Sequence, residues 1–249
     1  MSCPLLTIGH SNHDIDTFIG LLRQHHVTAL VDVRSHPYSR YNQQFRKAPL
    51  QGAMTKAGIG YVFLGKELGP HTPDPACYVD DRVSYEQLAQ TDHFHQGLQQ
   101  VQRIVAQQST ALMCAEYDPI RCHRAILISR PLYNNGYSIH HILRDGTLES
   151  HGNLENRLLA IHQLDESDSL SHLSGQLELN PKEAIAQLDL LTPSALDTDS
   201  GTGIDPPSPL TSPQQLDLFE DWLAPRLAAR EQAIAEAYRR QGEAIAYRQ

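Results

Sequence analysis

The sequence predicts an α/β domain of Rossmann-like, three-layer type, with a mostly parallel sheet of about five strands and a helical C-terminal extension. Three observations lead there. Short apolar runs alternate with helix-length amphipathic stretches through the first 164 residues, the rhythm of a parallel sheet with right-handed crossovers. Val27 to Val33 is apolar except for one Thr and one Asp, as expected of a strand buried on both faces. Charged and reactive side chains gather where the apolar runs stop, and open α/β sheets bind ligands outside the carboxyl ends of their strands.

Taken in order, Leu5 to Gly9 reads as a first strand. Ser11-Asn12-His13-Asp14 supplies cap residues for a helix running to about His26, with Ile15, Phe18, Ile19 and Leu22 at helical spacing. Val27 to Val33 is the second strand, followed by a polar loop at Tyr38 to Gln44. Phe45 to Ala57 suits a helix entered irregularly around Pro49, and Gly58-Ile59-Gly60 hands over to a third strand, Tyr61 to Leu64. Gly65 to Arg82 is broken by Gly and Pro and has no periodicity, which marks a long functional loop or lid. Ser84 to Gln108 is helical, with Leu88, Phe94, Leu98, Val101 and Val105 on one side. A strand at Ala111, a helix from about Pro119 to Tyr133, a turn at Asn134-Asn135-Gly136 and a last strand at Tyr137 to Leu143 complete the alternation, and Leu154 to Leu164 forms a further amphipathic helix.

The net charge of -9 is unevenly placed. Residues 1–164 carry 14 Lys+Arg against 14 Asp+Glu and 13 of the 14 histidines; residues 165–221 carry 1 against 12; residues 222–249 carry 5 against 3. These shifts divide the chain into a core domain at 1–164, an acidic helical extension at 165–191, a linker at 192–213 and a C-terminal helix at 214–249. The linker is rich in Pro, Ser, Thr, Gly and Asp, too polar to bury enough apolar surface to order itself. Along the last helix Leu227, Ile234, Tyr238 and Ile245 follow a heptad-like stripe, which fits docking on the core and binding of a partner protein equally.

A neutral core does not advertise a broad phosphate-backbone footprint, so nucleic acid enters only as a carrier of a smaller ligand group. No run of about 18 apolar residues exists, which argues against a membrane span. The first residues lack the basic region and cleavage site of a signal peptide, so a cytoplasmic location is expected. Four cysteines, Cys3, Cys77, Cys114 and Cys122, form no disulfide-scaffold pattern. Gly58-Ile59-Gly60 precedes a strand rather than a helix, so no dinucleotide fingerprint is present and no cofactor is identified.

The densest chemistry lies in Ala111 to Arg124, ALMCAEYDPIRCHR, where Cys114, Glu116, Cys122, His123 and Arg124 surround one strand-to-helix turn. A second set follows the other strands: His10-Ser11, then Asp32-Val33-Arg34-Ser35-His36-Pro37. TIGHSN, DVRSHPYSR, GKELGP, MCAEYDPIRCHR and HHILRDGTLESH occur in order between Thr7 and His151. Together these motifs resemble the domain of unknown function 488 family. The resemblance implies an α/β domain with a shared pocket and brings no settled activity. It marks His10, Ser11, Asp32, Arg34, Pro37, Ser39, Leu68-Gly69, Cys114, Glu116, Cys122, His123, Arg124, His141 and His151. Each has a plainer role beside a functional one. His10-Ser11 can simply cap the first helix, Asp32 and Arg34 can be a buried ion pair, and Cys114 can be a packed thiol.

Three chemistries fit the turn. A cysteine nucleophile of phosphatase or rhodanese type would use Cys114 with an anion-wrapping loop. The next arginine, Arg121, lies one residue too far, and the loop carries Glu116 and Asp118 but no glycine. Zinc held by Cys114, Cys122 and His123, with or without Glu116, suits the residue types, but the spacing lacks the paired Cys signature. In the third, Glu116 is the general base, His123 the acid or orienting group, and Arg34 and Arg124 clamp an anionic ligand. The sequence favours this last reading: an enzyme acting on a phosphorylated or nucleotide-type ligand, free or within nucleic acid, with no metal. Its rival is a non-enzymatic ligand-sensing or interaction module using the same pocket.

Overall fold

The computed structural model describes residues 4–164 and 213–247. The acidic extension at 165–191 and the linker at 192–213, except for its last residue, lie outside the described residues.

Five parallel strands form as the apolar runs require: β1 (Leu5–Gly9), β2 (Ala29–Asp32), β3 (Gly60–Phe63), β6 (Thr110–Cys114) and β7 (Ile139–Ile142). The sheet order is β3-β2-β6-β1-β7-β8, where β8 (Leu148–Ser150) is an antiparallel edge strand paired with β7. No apolar run marks that sixth strand, whose residues are exposed or half-buried. It follows a tight turn at Asp145-Gly146, where Gly146 takes φ 87° and Asp145 accepts from Thr147 N. A short separate hairpin, β4 (Tyr78–Val79) with β5 (Arg82–Val83), stands inside the supposed lid.

Alternation along the strands sends side chains to two faces. Leu6, Ile8, Leu30, Ala111 and Met113 meet α1 (Ile15–Gln24) and α2 (Lys47–Ala57) through Phe18, Leu22, Leu50 and Met54. Leu5, Val31, Leu112 and Cys114 face the other way. There they meet α5 (Asp92–Val105), α6 (Arg130–Asn134), α7 (His151–Ile161) and α8 (Pro213–Ile245). The result is the expected three-layer α/β sandwich. Ala237 and Tyr238 of α8 are buried in this second layer with Ile234 and Ile245 packed around them, so the heptad-like stripe docks on the chain's own core.

Three expected helices are subdivided, each for a local reason. Phe45 to Ala57 opens with a 3-10 turn at Gln43–Phe45 before α2, because Arg46 is extended. Ser84 to Gln108 splits into α4 (Tyr85–Ala89) and α5, since Thr91 caps the second with its hydroxyl. Pro119 to Tyr133 becomes a 3-10 turn at Pro119–Arg121, a π-helix at Arg124–Ser129 and α6. Cys122 between the first two is extended, and the Ser129 hydroxyl donates to Arg124 O within the widened turn. The lid also carries α3 (Gly65–Leu68) and a 3-10 turn at Pro75–Cys77.

Candidate functional site

The connection from β2 runs outward to the edge strand β3, and that from β6 runs the opposite way, past β1 to β7. A crevice opens outside strand carboxyl ends at such a reversal. A cavity of about 440 Å³ lies there, lined by His10, Ser11, Arg34, Cys114, Glu116 and His123, with His36, Ser39, His71, Tyr117 and Tyr247 among its other walls.

Three strand ends hold these residues. Beyond β1, His10 N donates to Cys114 O and Ser11 N to Ala115 O, extending the parallel ladder into the loop. Ser11 has φ 47°, a left-handed conformation that costs a non-glycine residue on the order of 1 kcal/mol and is found mainly at ligand sites and tight turns. Its carbonyl accepts from His10 Nδ1 at 2.8 Å and from Asn42 Nδ2 at 3.2 Å. Gly9 must be a glycine because a Cβ there would overlap the Glu116 carbonyl oxygen. Gly65 is bound in the same way to the Arg34 carbonyl, which brings the GKELG loop against the end of β2.

After β2, Asp32 and Arg34 form a buried two-pronged ion pair, Nε to Oδ1 at 2.8 Å and Nη2 to Oδ2 at 2.7 Å. The Tyr61 hydroxyl donates to Oδ2 as well, so the buried carboxylate is fully partnered, as such a group must be. Arg34 Nη1 donates to His10 Nε2 at 3.1 Å, and Phe45 stacks on the His10 ring at 4.3 Å. Burial and the Arg34 charge lower the His10 pKa to about 4, so this imidazole is neutral, protonated on Nδ1.

After β6 the two cysteines and His123 converge. His123 Nε2 donates to Val33 O at 3.0 Å, leaving Nδ1 to face Cys114 Sγ at 3.5 Å and Cys122 Sγ at 3.9 Å. All three residues are buried. Cys114 is kept protonated, first by its hydrogen bond to Cys122 and then by burial. Burial opposes ionisation of Cys122, but the Cys114 hydrogen bond, the Arg124 charge and His123 outweigh it and lower its pKa. Glu116 is exposed in the turn above them.

Arg124, expected in the anion clamp, does not line the cavity. It is fully buried. It donates through Nη1 to Glu116 O, through Nη2 to Tyr117 O and through Nε to Thr7 Oγ1, thereby fixing the turn that displays Glu116. Cys122 and Asp32 also lie behind the lining, as does His141. His141 belongs instead to a buried relay. Thr7 Oγ1 lies 2.8 Å from His141 Nδ1, His141 Nε2 lies 3.0 Å from His151 Nδ1, and the Tyr238 hydroxyl bridges His151 Nε2 and Glu155 Oε1. Thus the pocket unites Arg34, Cys114, Glu116 and His123 with His10, Ser11 and Ser39, but not with Arg124.

Residues 14–130 match the family described as Domain of unknown function DUF488. That segment is similar to the family. No curated protein and no solved structure matches the chain. The site extends beyond the matched segment at both ends, through His10 and Ser11 before it and Tyr247 after it.

Several pocket residues carry weaker sequence signals. Tyr38 and Tyr117 sit inside the quoted motifs and are exposed on the cavity wall. His71 comes from the supposed lid, its ring 5.3 Å from His36 and 4.4 Å from Tyr247. Tyr247 follows the last helix, and its carbonyl accepts from Val83 N, which seats the chain end beside the cavity. Nothing local in sequence ties it to the strand ends.

Proposed function

We propose that this pocket is the active site of an enzyme acting on a phosphorylated or nucleotide-type ligand by acid/base chemistry. The observation that carries the reading is the convergence of Arg34, Cys114, Glu116 and His123, from two different strand ends, on one cavity. Glu116, exposed at its rim, is the general base. Arg34 is held rigidly by Asp32 and His10 and keeps further N–H groups for an anionic ligand group. His123, with Nε2 engaged by Val33 O, serves to orient groups at Cys114 rather than to shuttle protons through both nitrogens. Tyr117, and the face of Tyr38 opposite the Arg46 guanidinium, offer exposed aromatic surface of the kind on which a base stacks. Arg124 supports the turn and leaves the clamp to Arg34.

No described helix is long and apolar enough to cross a membrane. Free buried thiols at Cys77, Cys114 and Cys122 suit the reducing cytoplasm, where we place the protein.

The test is a panel of nucleotides and phosphorylated metabolites screened by thermal shift, then assayed for turnover with wild type and Glu116→Gln. A ligand that both proteins bind with similar affinity and only the wild type converts supports the reading. Binding with no turnover by the wild type replaces the enzyme with the ligand-sensing module.

A further inference from the structure

We propose that Cys114, Cys122 and His123 hold a zinc ion whose fourth coordination position faces the strand-end pocket. Zinc–sulfur bonds of about 2.3 Å and zinc–nitrogen bonds of about 2.0–2.1 Å, opened to a tetrahedral angle, place sulfur and nitrogen about 3.6 Å apart. His123 Nδ1 lies 3.5 Å from Cys114 Sγ and 3.9 Å from Cys122 Sγ. All three candidate ligand atoms lie within 4.8 Å of one another. The triangle therefore fits a tetrahedral ion without rearrangement of the backbone.

The imidazole is presented as a ligand would be. Its Nε2–H donates to the Val33 carbonyl at 3.0 Å, which fixes the tautomer and turns the Nδ1 lone pair toward the sulfurs. Metal-binding histidines are almost always anchored in this way. Two soft sulfurs and one imidazole select zinc over magnesium, calcium or manganese, which favour oxygen. Cys114 and His123 both line the cavity while Cys122 closes the site from behind, so the remaining direction is toward the ligand pocket and Glu116. Three protein ligands plus a position open to water or to an anionic substrate atom is the arrangement of catalytic rather than structural zinc.

The long gap between Cys114 and Cys122 explains why no zinc signature is visible in the sequence. The first cysteine ends β6, while the second follows the 3-10 turn that Asp118 caps, so the fold rather than a short knuckle brings them together.

The proposal is tested on the full chain, purified under reducing conditions without added metal and without a metal-affinity column. Elemental mass spectrometry should find about one zinc per chain, falling at least about tenfold in Cys114→Ser, Cys122→Ser and His123→Ala and unchanged in Cys77→Ser. Substitution of the metal by cobalt in the wild type should give thiolate charge-transfer bands and the intense visible bands of a tetrahedral ion, a readout that needs no variant to fold. Absence of metal both as purified and after cobalt titration overturns the site. So does a metal content that survives Cys122→Ser and His123→Ala, or a Cys114–Cys122 disulfide in the protein as isolated. The inference shares its pocket with the proposed activity but fails separately from it. Zinc without turnover leaves the metal site and removes the enzyme; turnover by metal-free protein does the reverse.

Discussion

The Tyr238 hydroxyl stands 2.9 Å from His151 Nε2 and 3.2 Å from Glu155 Oε1, joining the C-terminal helix to the buried relay beneath β1 and β7. Hydrogen bonds run in one direction: Arg124 to Thr7, Thr7 to His141, His141 to His151, His151 to Tyr238 and Tyr238 to Glu155. Burial lowers the pKa of both histidines, so each is neutral and able to accept on one nitrogen while donating from the other. Tyr238→Phe removes one oxygen and leaves His151 and Glu155 short of a partner in a closed interior. The expected loss of stability is about 1–3 kcal/mol, read by urea denaturation. A variant as stable as wild type would show that the relay does not hold the helix.

Glu155 gives a pH-dependent version of the same test. Burial, opposed by the Tyr238 hydrogen bond, pushes its carboxyl up from 4.5 to about 7. A folded pKa above the unfolded one favours the protonated folded state, so the stabilisation is complete below pH 4.5 and is lost as pH rises through 7. Glu155→Gln mimics the protonated carboxyl. Its stability relative to wild type should climb by up to about 3 kcal/mol across that window. Taking the difference cancels His10 and His151, whose lowered values act in the opposite sense. A difference that stays flat from pH 5 to pH 8 would place the Glu155 carboxylate in an ordinary environment.

Arg34 both supports the site and faces it, and Arg34→Lys separates the geometry of the guanidinium from its charge. A lysine cannot give Asp32 two parallel bonds and at the same time reach His10. The expected cost is about 1–3 kcal/mol, less than the 3–5 kcal/mol typical when one partner of a buried pair is removed outright. Burial first and the Arg34 charge second keep His10 neutral, and a lysine retains the charge, so nuclear magnetic resonance should find the His10 pKa still lowered in this variant. A His10 that regained an ordinary imidazole pKa would mean that the Nη1 hydrogen bond, rather than burial and charge, sets it.

How far the sequence could be read depended on the range of the interactions. Val27 to Val33 and the apolar residues before Cys114 announced central strands because both faces of each are buried, and the charged groups after them announced the pocket. The edge strand β8 was invisible because Leu148 and Glu149 lack the apolar run that burial on two faces imposes. Arg124 was misplaced for a different reason. Its neighbours Cys122 and His123 lie beside the pocket, but extended backbone at Cys122 turns the next residues inward, where the carbonyls of Glu116 and Tyr117 meet the guanidinium. Tyr247 was illegible because its place depends on the docking of α8 through Tyr238, a contact across a long sequence separation.

The turn itself can be challenged without touching any polar side chain. Gly9 is the last residue of β1, paired with Cys114, and its missing Cβ is what allows the Glu116 carbonyl to cross over it. The obstacle met by Gly9→Ala is backbone, so no rotamer change relieves it, and either β1 or the 114–118 turn must move. Arg124 resists that movement through its bonds to Glu116 O and Tyr117 O, which makes the strain hard to dissipate. A loss of about 2–4 kcal/mol is expected, at the upper end of the range for single substitutions. The rearrangement should also displace Cys114 relative to His123, so the metal content and ligand binding of the folded fraction should fall together. Gly20→Ala on α1, where nothing lies near the added methyl, is the matched control: it should raise stability by about 0.5–1 kcal/mol and leave metal content and ligand binding unchanged. If Gly9→Ala behaves like that control, the close crossing of Glu116 over β1 is not what sets the pocket.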